Sequence, residues 1–164
     1  MTSRTGSEGF TFIELAFVAA ALGVVLGMAA PSLDRWADRL RVECAAATLA
    51  QTWRLAHQIA LSDQPVRWVW AAESHEGRLM PVQQDGSAAA LENQWGAPQA
   101  LPDTVALVLR RLEQPIDRVT FFADGSAEDA TCRVVSRRTG IERVIEVDGA
   151  TGRVASERPG VSLH

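Results

Sequence analysis

Lysine and tyrosine are absent from this chain of 164 residues, and cysteine occurs only twice, at Cys44 and Cys132. All of the basic side chains are therefore arginines, and they do not form the clustered excess that marks a nucleic-acid surface. The net charge is -4, which points the same way. We therefore do not expect a nucleic-acid partner. The missing lysine and tyrosine themselves indicate no function.

Catalytic and metal-binding signatures are also missing. The sequence contains no nucleophile elbow, HExxH pair, CxxC pair or phosphate-binding glycine loop. The three histidines fall on a predicted helix, in a turn and at the C-terminus: His57, His75 and His164. The acidic turn of Asp124, Glu128 and Asp129 does not follow EF-hand spacing and is expected to be solvated. The sequence therefore predicts a protein that is not an enzyme and holds no metal or cofactor.

Charge is missing altogether from Leu15 to Leu33, a run made mostly of Ala, Val, Leu, Gly and Met. An apolar run of about 18 residues or more can span a bilayer as a helix. An ordinary secretory signal has a basic head, a shorter apolar core and a cleavage site behind that core. Here the residues before Gly9 contain only Arg4 as a base, and Ala29-Ala30-Pro31 is a poor cleavage site. We expect a membrane helix that stays on the mature protein.

The residues Gly9-Phe10-Thr11-Phe12-Ile13-Glu14-Leu15, followed by the apolar run, resemble the class III signal of type IV pilins and type II secretion pseudopilins. The resemblance implies that a prepilin peptidase cuts after Gly9 and methylates the new N-terminal residue, Phe10. It also implies that Glu14 pairs with the N-terminal ammonium of a neighbouring subunit during filament assembly. Independently, an unpaired acid at a membrane edge is costly, so Glu14 needs a partner.

Behind Pro31 the pattern becomes that of an amphipathic helix, and the proline predicts a kink near position 31. The predicted inward face carries Leu33, Trp36, Leu40, Cys44, Ala47, Trp53, Ala56 and Ile59. The predicted outward face carries Arg35, Asp38, Arg39, Glu43, Thr48 and Arg54. Pro65 disfavours helix in the residue before it. The two segments together predict one helix of about fifty residues, about 75–80 Å long.

Residues 64–164 switch to a strand pattern. Six short runs are rich in β-branched and aromatic residues: 66–70, 78–82, 104–109, 119–122, 131–135 and 143–147. Turn residues separate them without helical spacers, which predicts one or two antiparallel sheets. Residues 83–102 are predicted to be a long loop, and residues 156–164 a frayed tail. The predicted class is α+β, with the long N-terminal helix packed on antiparallel sheet.

The segments Phe121 to Ser126 and Val147 to Val154 resemble the F-x-x-D-G-S and V-x-x-x-T-G-R-V patterns of the GspH/FimT family of minor pseudopilins and minor pilins. The resemblance implies a pilin-like fold with four parts. Residues 1–9 are a leader, 10–33 a transmembrane and filament-core helix, 34–63 its amphipathic continuation, and 64–164 a periplasmic β-rich head.

The resemblance further implies a minor pseudopilin of the type II secretion system, most like GspH, at or near the tip of the periplasmic pseudopilus. Its partners would be the prepilin peptidase, other minor pseudopilins, the major pseudopilin and the assembly platform of the inner membrane. Charge alone disagrees on orientation, since Arg35, Arg39 and Arg41 follow the span and only Arg4 precedes it. The resemblance places the head in the periplasm.

Two other functions stay open. The first is a FimT-like minor pilin of a type IV pilus that serves DNA uptake. It is supported by basic residues that could bind phosphate: Arg137, Arg138, Arg143, Arg153 and Arg158. The acids Glu142, Glu146, Asp148 and Glu157 lie between them and argue against it. The third hypothesis is a membrane-anchored periplasmic enzyme or binding domain on an uncleaved anchor.

Several side chains carry expectations with alternatives. Cys44 and Cys132 both fall on predicted inward faces and form either a disulfide or two separately buried thiols. Ala19, Gly23 and Gly27 stack on one helix face, which is either a chosen packing face or an accident of composition. Four tryptophans are expected in the core: Trp36, Trp53, Trp68 and Trp70. Trp95, in the predicted loop, is expected to be exposed.

Overall fold

The computed structural model describes residues 11–62, 64–83, 87 and 96–157, without the side chains of residues 28–31. The chain divides into two compact units, Met1–Ala37 and Asp38–His164. The first unit contains the N-terminal part of the long helix. The second unit contains the rest of that helix and all of the described strands.

Helix α1 spans Phe12–Ser62, which is 51 residues, and confirms the long N-terminal helix. Hydrogen bonds between Thr11 and Glu14 begin it. Its end at Ser62 lies just ahead of Pro65, as expected, because the residue before a proline is disfavoured in a helix. The side chain of Pro31 lies outside the described residues, so the kink stays a prediction.

The described residues form nine strands, all paired antiparallel. They are β1 (Val66–Ala71), β2 (Glu76–Pro81), β3 (Gln99–Ala100), β4 (Val105–Arg111), β5 (Gln114–Pro115), β6 (Arg118–Phe121), β7 (Ala130–Ser136), β8 (Glu142–Val147) and β9 (Val154–Glu157). One sheet has the order β3-β2-β1-β6 and the other β5-β4-β7-β8-β9. The α+β class is confirmed.

The six predicted runs correspond to β1, β2, β4, β6, β7 and β8. Three strands were missed. β3 and β5 have two residues each, too few to show an alternation, and β3 lies inside the predicted loop. The prediction of a frayed tail is wrong for Ser156 and Glu157, which belong to β9, and the residues beyond 157 are outside the described part.

The inward face of α1 was predicted only in part. Trp53 and Ala56 are buried as expected, but Cys44 and Ala47 are exposed, and Trp36 is 61% exposed. The residues that face the core are instead mostly small: Val42, Ala45, Ala46, Leu49, Ala50, Trp53, Ala56 and Ala60. Their spacing is also helical, and their small volume lets the helix backbone lie close to the sheets. The predicted face is thus correct at Trp53, Ala56 and the partly buried Ile59, and wrong at Trp36, Cys44 and Ala47.

The two buried tryptophans of the core meet where α1 contacts β1. The rings of Trp53 and Trp68 pack edge to face with centroids 5.4 Å apart. Trp70 stacks on Trp68 at 6.0 Å and is half-buried. The core placement of these three is thus as predicted, that of Trp36 is wrong, and Trp95 lies outside the described residues. Gly77 is required here, because a Cβ would lie 2.5 Å from the Trp68 ring.

Candidate functional site

The N-terminus of α1 is closed by a reciprocal set of hydrogen bonds. The backbone N–H and the hydroxyl of Thr11 both donate to Oε2 of Glu14, at 2.8 and 3.0 Å. The backbone N–H of Glu14 donates in return to the Thr11 hydroxyl at 3.3 Å. This is a capping box, in which Thr-x-x-Glu satisfies donors that the first turn leaves free. The Thr-x-x-Glu spacing of Thr11 and Glu14 is the sequence signature of this box, although it was not predicted above.

The surface of the helix behind this cap is apolar and open. Every described side chain from Thr11 to Gly27 is exposed, and Phe12 is 84% exposed. The helix is long and apolar enough to cross a membrane by length and composition. Added Cβ atoms at Gly23 and Gly27 would meet nothing within 4 Å, so neither glycine is needed for packing within the described chain. Gly9 and Phe10 lie outside the described residues.

Where α1 meets the five-stranded sheet, a carboxylate predicted to face outward is buried. Asp38 is only 2% exposed. The Nε of Arg138 donates to its Oδ2 at 2.8 Å, and a guanidinium nitrogen of Arg41 donates to its Oδ1 at 2.8 Å. The hydrogen bond from Arg138 is the main cause that holds the pKa of Asp38 below its usual value, against the opposing effect of burial. Asp38 thus joins the helix to the β7–β8 turn.

A second acid one turn later makes the same kind of link. Glu43 accepts hydrogen bonds from Arg39 on its own helix, at 3.1 Å, and from Arg143 on β8. The hydrogen bond from Arg39, followed by that from Arg143, lowers the pKa of Glu43. Arginines 138 and 143, which the sequence offered for phosphate binding, therefore serve internal ion pairs.

Arg137 and Arg153, which were also considered for phosphate binding, make fewer internal contacts. A guanidinium nitrogen of Arg137 donates to the imidazole of His75 at 2.8 Å, and Arg153 lies close enough to Asp148 to help lower its pKa, after hydrogen bonds from Thr151. Arg158 lies outside the described residues. The four described arginines of this group thus do not form one free basic surface.

The two cysteines are not joined. Cys132 is fully buried in β7, as predicted, and burial raises the pKa of its thiol, which keeps it protonated and unreactive. Cys44 is exposed on α1, so its predicted inward position is wrong. The reason is the shift of the helix face described above, which turns position 44 away from the core.

The acidic turn has internal hydrogen-bond partners. Asp124 accepts from the N–H and hydroxyl of Ser126, Asp129 from the N–H of Gly149, and Glu128 from the N–H of Thr120. The described part of the chain contains no group of three His, Cys, Asp or Glu residues placed to hold a metal. His57 and His75 lie apart, the first 3.0 Å from the carbonyl oxygen of Gly125, and His164 lies outside the described residues.

The turn between β4 and β5 is conformationally costly. It consists of Leu112 and Glu113, with φ of 45° and 71°, between the paired residues Arg111 and Gln114. Two-residue hairpins with both φ values positive favour Asn-Gly. A non-glycine residue held in the left-handed region costs about 1–3 kcal/mol. Leu112 is nevertheless 90% exposed.

One wall of a neighbouring cleft is formed by this hairpin. The cleft has a volume of about 740 Å³ and is lined by Arg67, Arg111, Pro115, Ile116, Asp117, Arg118, Thr120 and Glu128; we call it the arginine cleft. Arg111 pairs with Glu128 at 2.7 Å and Arg118 with Asp117 at 3.3 Å. The Nε of Arg67 donates only to the Thr120 hydroxyl, at 3.4 Å, and no described acid pairs with it.

The sequence comparisons found no matching family and no matching characterised protein. The fold, in contrast, has solved counterparts. The minor pseudopilin EpsH of the type II secretion system of Vibrio cholerae is similar with a TM-score of 0.62 at 14% identity, over 74% of this chain and 99% of that one.

Two further structures agree. The type IV minor pilin FimU of Pseudomonas aeruginosa has a TM-score of 0.59 at 18% identity, over 74% of this chain and 92% of its own. Escherichia coli GspH has a TM-score of 0.55 at 17% identity, over 73% and 89%. At these identities the likeness shows the fold, and the chain has the pilin-like fold that these proteins share.

Proposed function

We propose that this chain is the precursor of a minor pseudopilin of a type II secretion system. It is inserted in the inner membrane, cut after Gly9 by a prepilin peptidase and methylated on Phe10. It then enters the periplasmic pseudopilus, at or near its tip, as a subunit without catalytic activity. Its partners are other minor pseudopilins, the major pseudopilin and the assembly platform of the inner membrane.

The observation that carries this proposal is the difference in burial between the two ends of α1. Its C-terminal part supplies one side of a water-soluble core, while every described side chain from Thr11 to Gly27 is exposed and almost all are apolar. Such a surface is not stable in water, where burying apolar area is worth about 25 cal/mol per Å². A bilayer before assembly, and the helices of other subunits after it, would both cover this surface.

Glu14 has a role in each setting. In the isolated chain, the Thr11 donors hydrogen-bond its carboxylate. In the filament, the N-terminal ammonium of a neighbour would neutralise it, and such a pair is stronger in an apolar surrounding than in water. The capping box would therefore stabilise the Glu14 carboxylate until the ammonium group of the neighbouring subunit pairs with it.

The decisive experiment is intact mass and N-terminal sequencing of the protein from its native membrane. We expect Phe10 at the N-terminus with one added methyl group. An intact Met1, or a cut after Ala30, would contradict the proposal and favour a membrane-anchored periplasmic enzyme or binding domain.

The orientation needs a separate test, because the excess of arginine behind the span argues for a cytoplasmic head. Spheroplasts treated with external protease should lose residues 64–164, with a cytoplasmic protein as the intact control. Protection of the head would contradict the periplasmic placement.

A second candidate is a FimT-like minor pilin of a type IV pilus, and the fold likeness to FimU is the observation that favours it. If such a pilin binds DNA, the fragment beginning at Asp34 should produce a salt-dependent mobility shift of DNA. Replacing Arg137 and Arg153 should abolish this shift. Without such a shift, DNA uptake has no support from the head.

A further inference from the structure

Trp36 is exposed at the place where the apolar run of α1 ends. Leu33, the last residue of the uncharged run, is 62% exposed, and Trp36, one turn further on, is 61% exposed. A single exposed apolar side chain is ordinary on a protein surface. Trp36 differs because it directly follows a helix whose described apolar side chains are themselves exposed. Whatever surrounds that helix therefore also reaches the indole ring.

The length of α1 relates Trp36 to the two faces of a bilayer. The helix is continuous from Phe12 through Trp36, and it is long and apolar enough to cross a membrane. At 1.5 Å per residue, Glu14 and Trp36 lie about 33 Å apart along the helix axis. The hydrocarbon core of a bilayer is about 30 Å thick. With the uncharged run in the hydrocarbon, Glu14 and Trp36 therefore lie at opposite membrane–water interfaces.

Trp36 and its neighbour Arg35 have the chemistry that suits such an interface. Tryptophan is enriched at the level of lipid head groups, because its ring is apolar while its N–H can still donate a hydrogen bond. Arg35 is exposed, and none of the residues that the structure describes is paired with it. A guanidinium donates parallel hydrogen bonds to phosphate oxygens, and its long side chain reaches them from the edge of the hydrocarbon.

We propose that Trp36 and Arg35 bind phospholipid head groups at the C-terminal end of the membrane span. The indole ring lies at head-group level, and the guanidinium contacts lipid phosphates and favours an anionic lipid. Together the two side chains set the depth of α1 in the bilayer, which brings Glu14 to the opposite interface. This inference rests on the membrane insertion of the proposed function, and it depends neither on the cut after Gly9 nor on entry into a filament.

The contact at Trp36 is measured by tryptophan fluorescence of the full-length chain in phospholipid vesicles. Lipids brominated near the head-group end of the acyl chain quench nearby indoles, and lipids brominated near the chain end quench indoles at the bilayer centre. We expect the first lipid to quench the wild type more, and Trp36→Phe to lose this quenching. Trp70→Phe is the control, because Trp70 stacks on Trp68 in the head. Quenching that persists in Trp36→Phe would overturn the placement at the interface.

Arg35 is tested by the lipid that it favours. At equal mole fractions, brominated phosphatidylglycerol should quench Trp36 more than brominated phosphatidylcholine, because Arg35 attracts the anionic head group. Arg35→Gln should abolish this preference. Arg78→Gln is the control, since it removes an exposed arginine of the head and should leave the preference unchanged. A wild type without preference, or a preference that survives in Arg35→Gln, would contradict the role of Arg35.

Flotation of the same vesicles separates this inference from the proposed function. A wild-type chain that does not float with the vesicles in a density gradient would overturn both, since both require α1 to insert in a membrane. A chain that floats while lipid bromines leave Trp36 unquenched would overturn only the contact with head groups. Flotation together with the expected quenching at Trp36 would support the contact.

Discussion

At the scale of single residues, Asp38 shows how burial and charge are reconciled in the head. A carboxylate that is 2% exposed would be very unfavourable alone, but Arg41 and Arg138 each donate a hydrogen bond to it. Both arginine side chains remain about half exposed, so their charges stay partly in water. Arg138 therefore ties α1 to the β7–β8 turn, and neither arginine has to be fully buried.

The lowered pKa of Asp38 predicts a pH dependence. A carboxyl whose pKa is depressed on folding stabilises the fold above its unfolded value, about 3.9, and this stabilisation is lost as pH falls through the folded pKa. The melting temperature of the fragment from Asp34 on should thus fall steeply below about pH 4. Asp38→Asn should be less stable at pH 7 and lose less on acidification. The exposed Asp103→Asn is the control, and parallel curves for all three would contradict the assignment.

The two tryptophans of α1 test the corrected helix face. Trp53 is fully buried against Trp68, and Trp53→Ala should cost about 3–5 kcal/mol of unfolding free energy. Trp36 is largely exposed, and Trp36→Ala should change it by less than about 0.5 kcal/mol. Urea unfolding of the fragment from Asp34 on measures both. A comparable loss for the two variants would restore the originally predicted face.

At the scale of elements, the sequence predicted what local pattern determines. The length of α1, its end before Pro65 and six of the nine described strands follow from apolar runs and turn residues. Local pattern does not determine which face of α1 is buried, because Ala45, Ala46 and Ala50 become core residues only when a sheet lies against them. Asp38 was misplaced for the same reason, since its partner Arg138 is a hundred positions away.

In the candidate site, too, contiguous motifs could be predicted from the sequence and features formed by distant residues could not. The Gly9-to-Leu15 motif is contiguous, so the sequence alone offers it, and the Thr11–Glu14 cap was present in the spacing but overlooked. The turn at Leu112 was not predictable, because leucine disfavours a positive φ and the strand pairing on either side imposes it. Arg67 was equally invisible, since the cleft forms only when β1, β4 and β6 come together.

The glycines of α1 carry a prediction about helix packing. Gly23 and Gly27 have open space around them, so valine at either position should leave the monomer folded and inserted. If small residues let neighbouring helices approach closely, Gly23→Val or Gly27→Val should exclude the chain from filaments. Val24→Ala, at an exposed neighbouring position, is the control. Filament content equal to that of the control would mean that this face is not used.

At the scale of the whole molecule, one continuous helix has to serve two surroundings. Residues 42–60 meet the head through alanines and Trp53, while the described residues before Gly27 present an uncovered apolar surface. A globular protein gains nothing from the second surface by itself. Under the proposed function, lipid before assembly and other chains after it would cover this surface.

Glu14 is the one charged side chain among residues 11–27, and two substitutions distinguish the roles proposed for it. Glu14→Gln keeps an acceptor for the Thr11 donors, since glutamine also serves in a capping box, but it cannot neutralise an ammonium group. Glu14→Ala removes both functions. Both precursors should be cut after Gly9 and remain in the membrane. If the ion pair drives assembly, both variants should be missing from filaments, as measured by immunoblot of the sedimented fraction. Normal incorporation of Glu14→Gln alone would show that capping, and not charge, is what assembly requires of this residue.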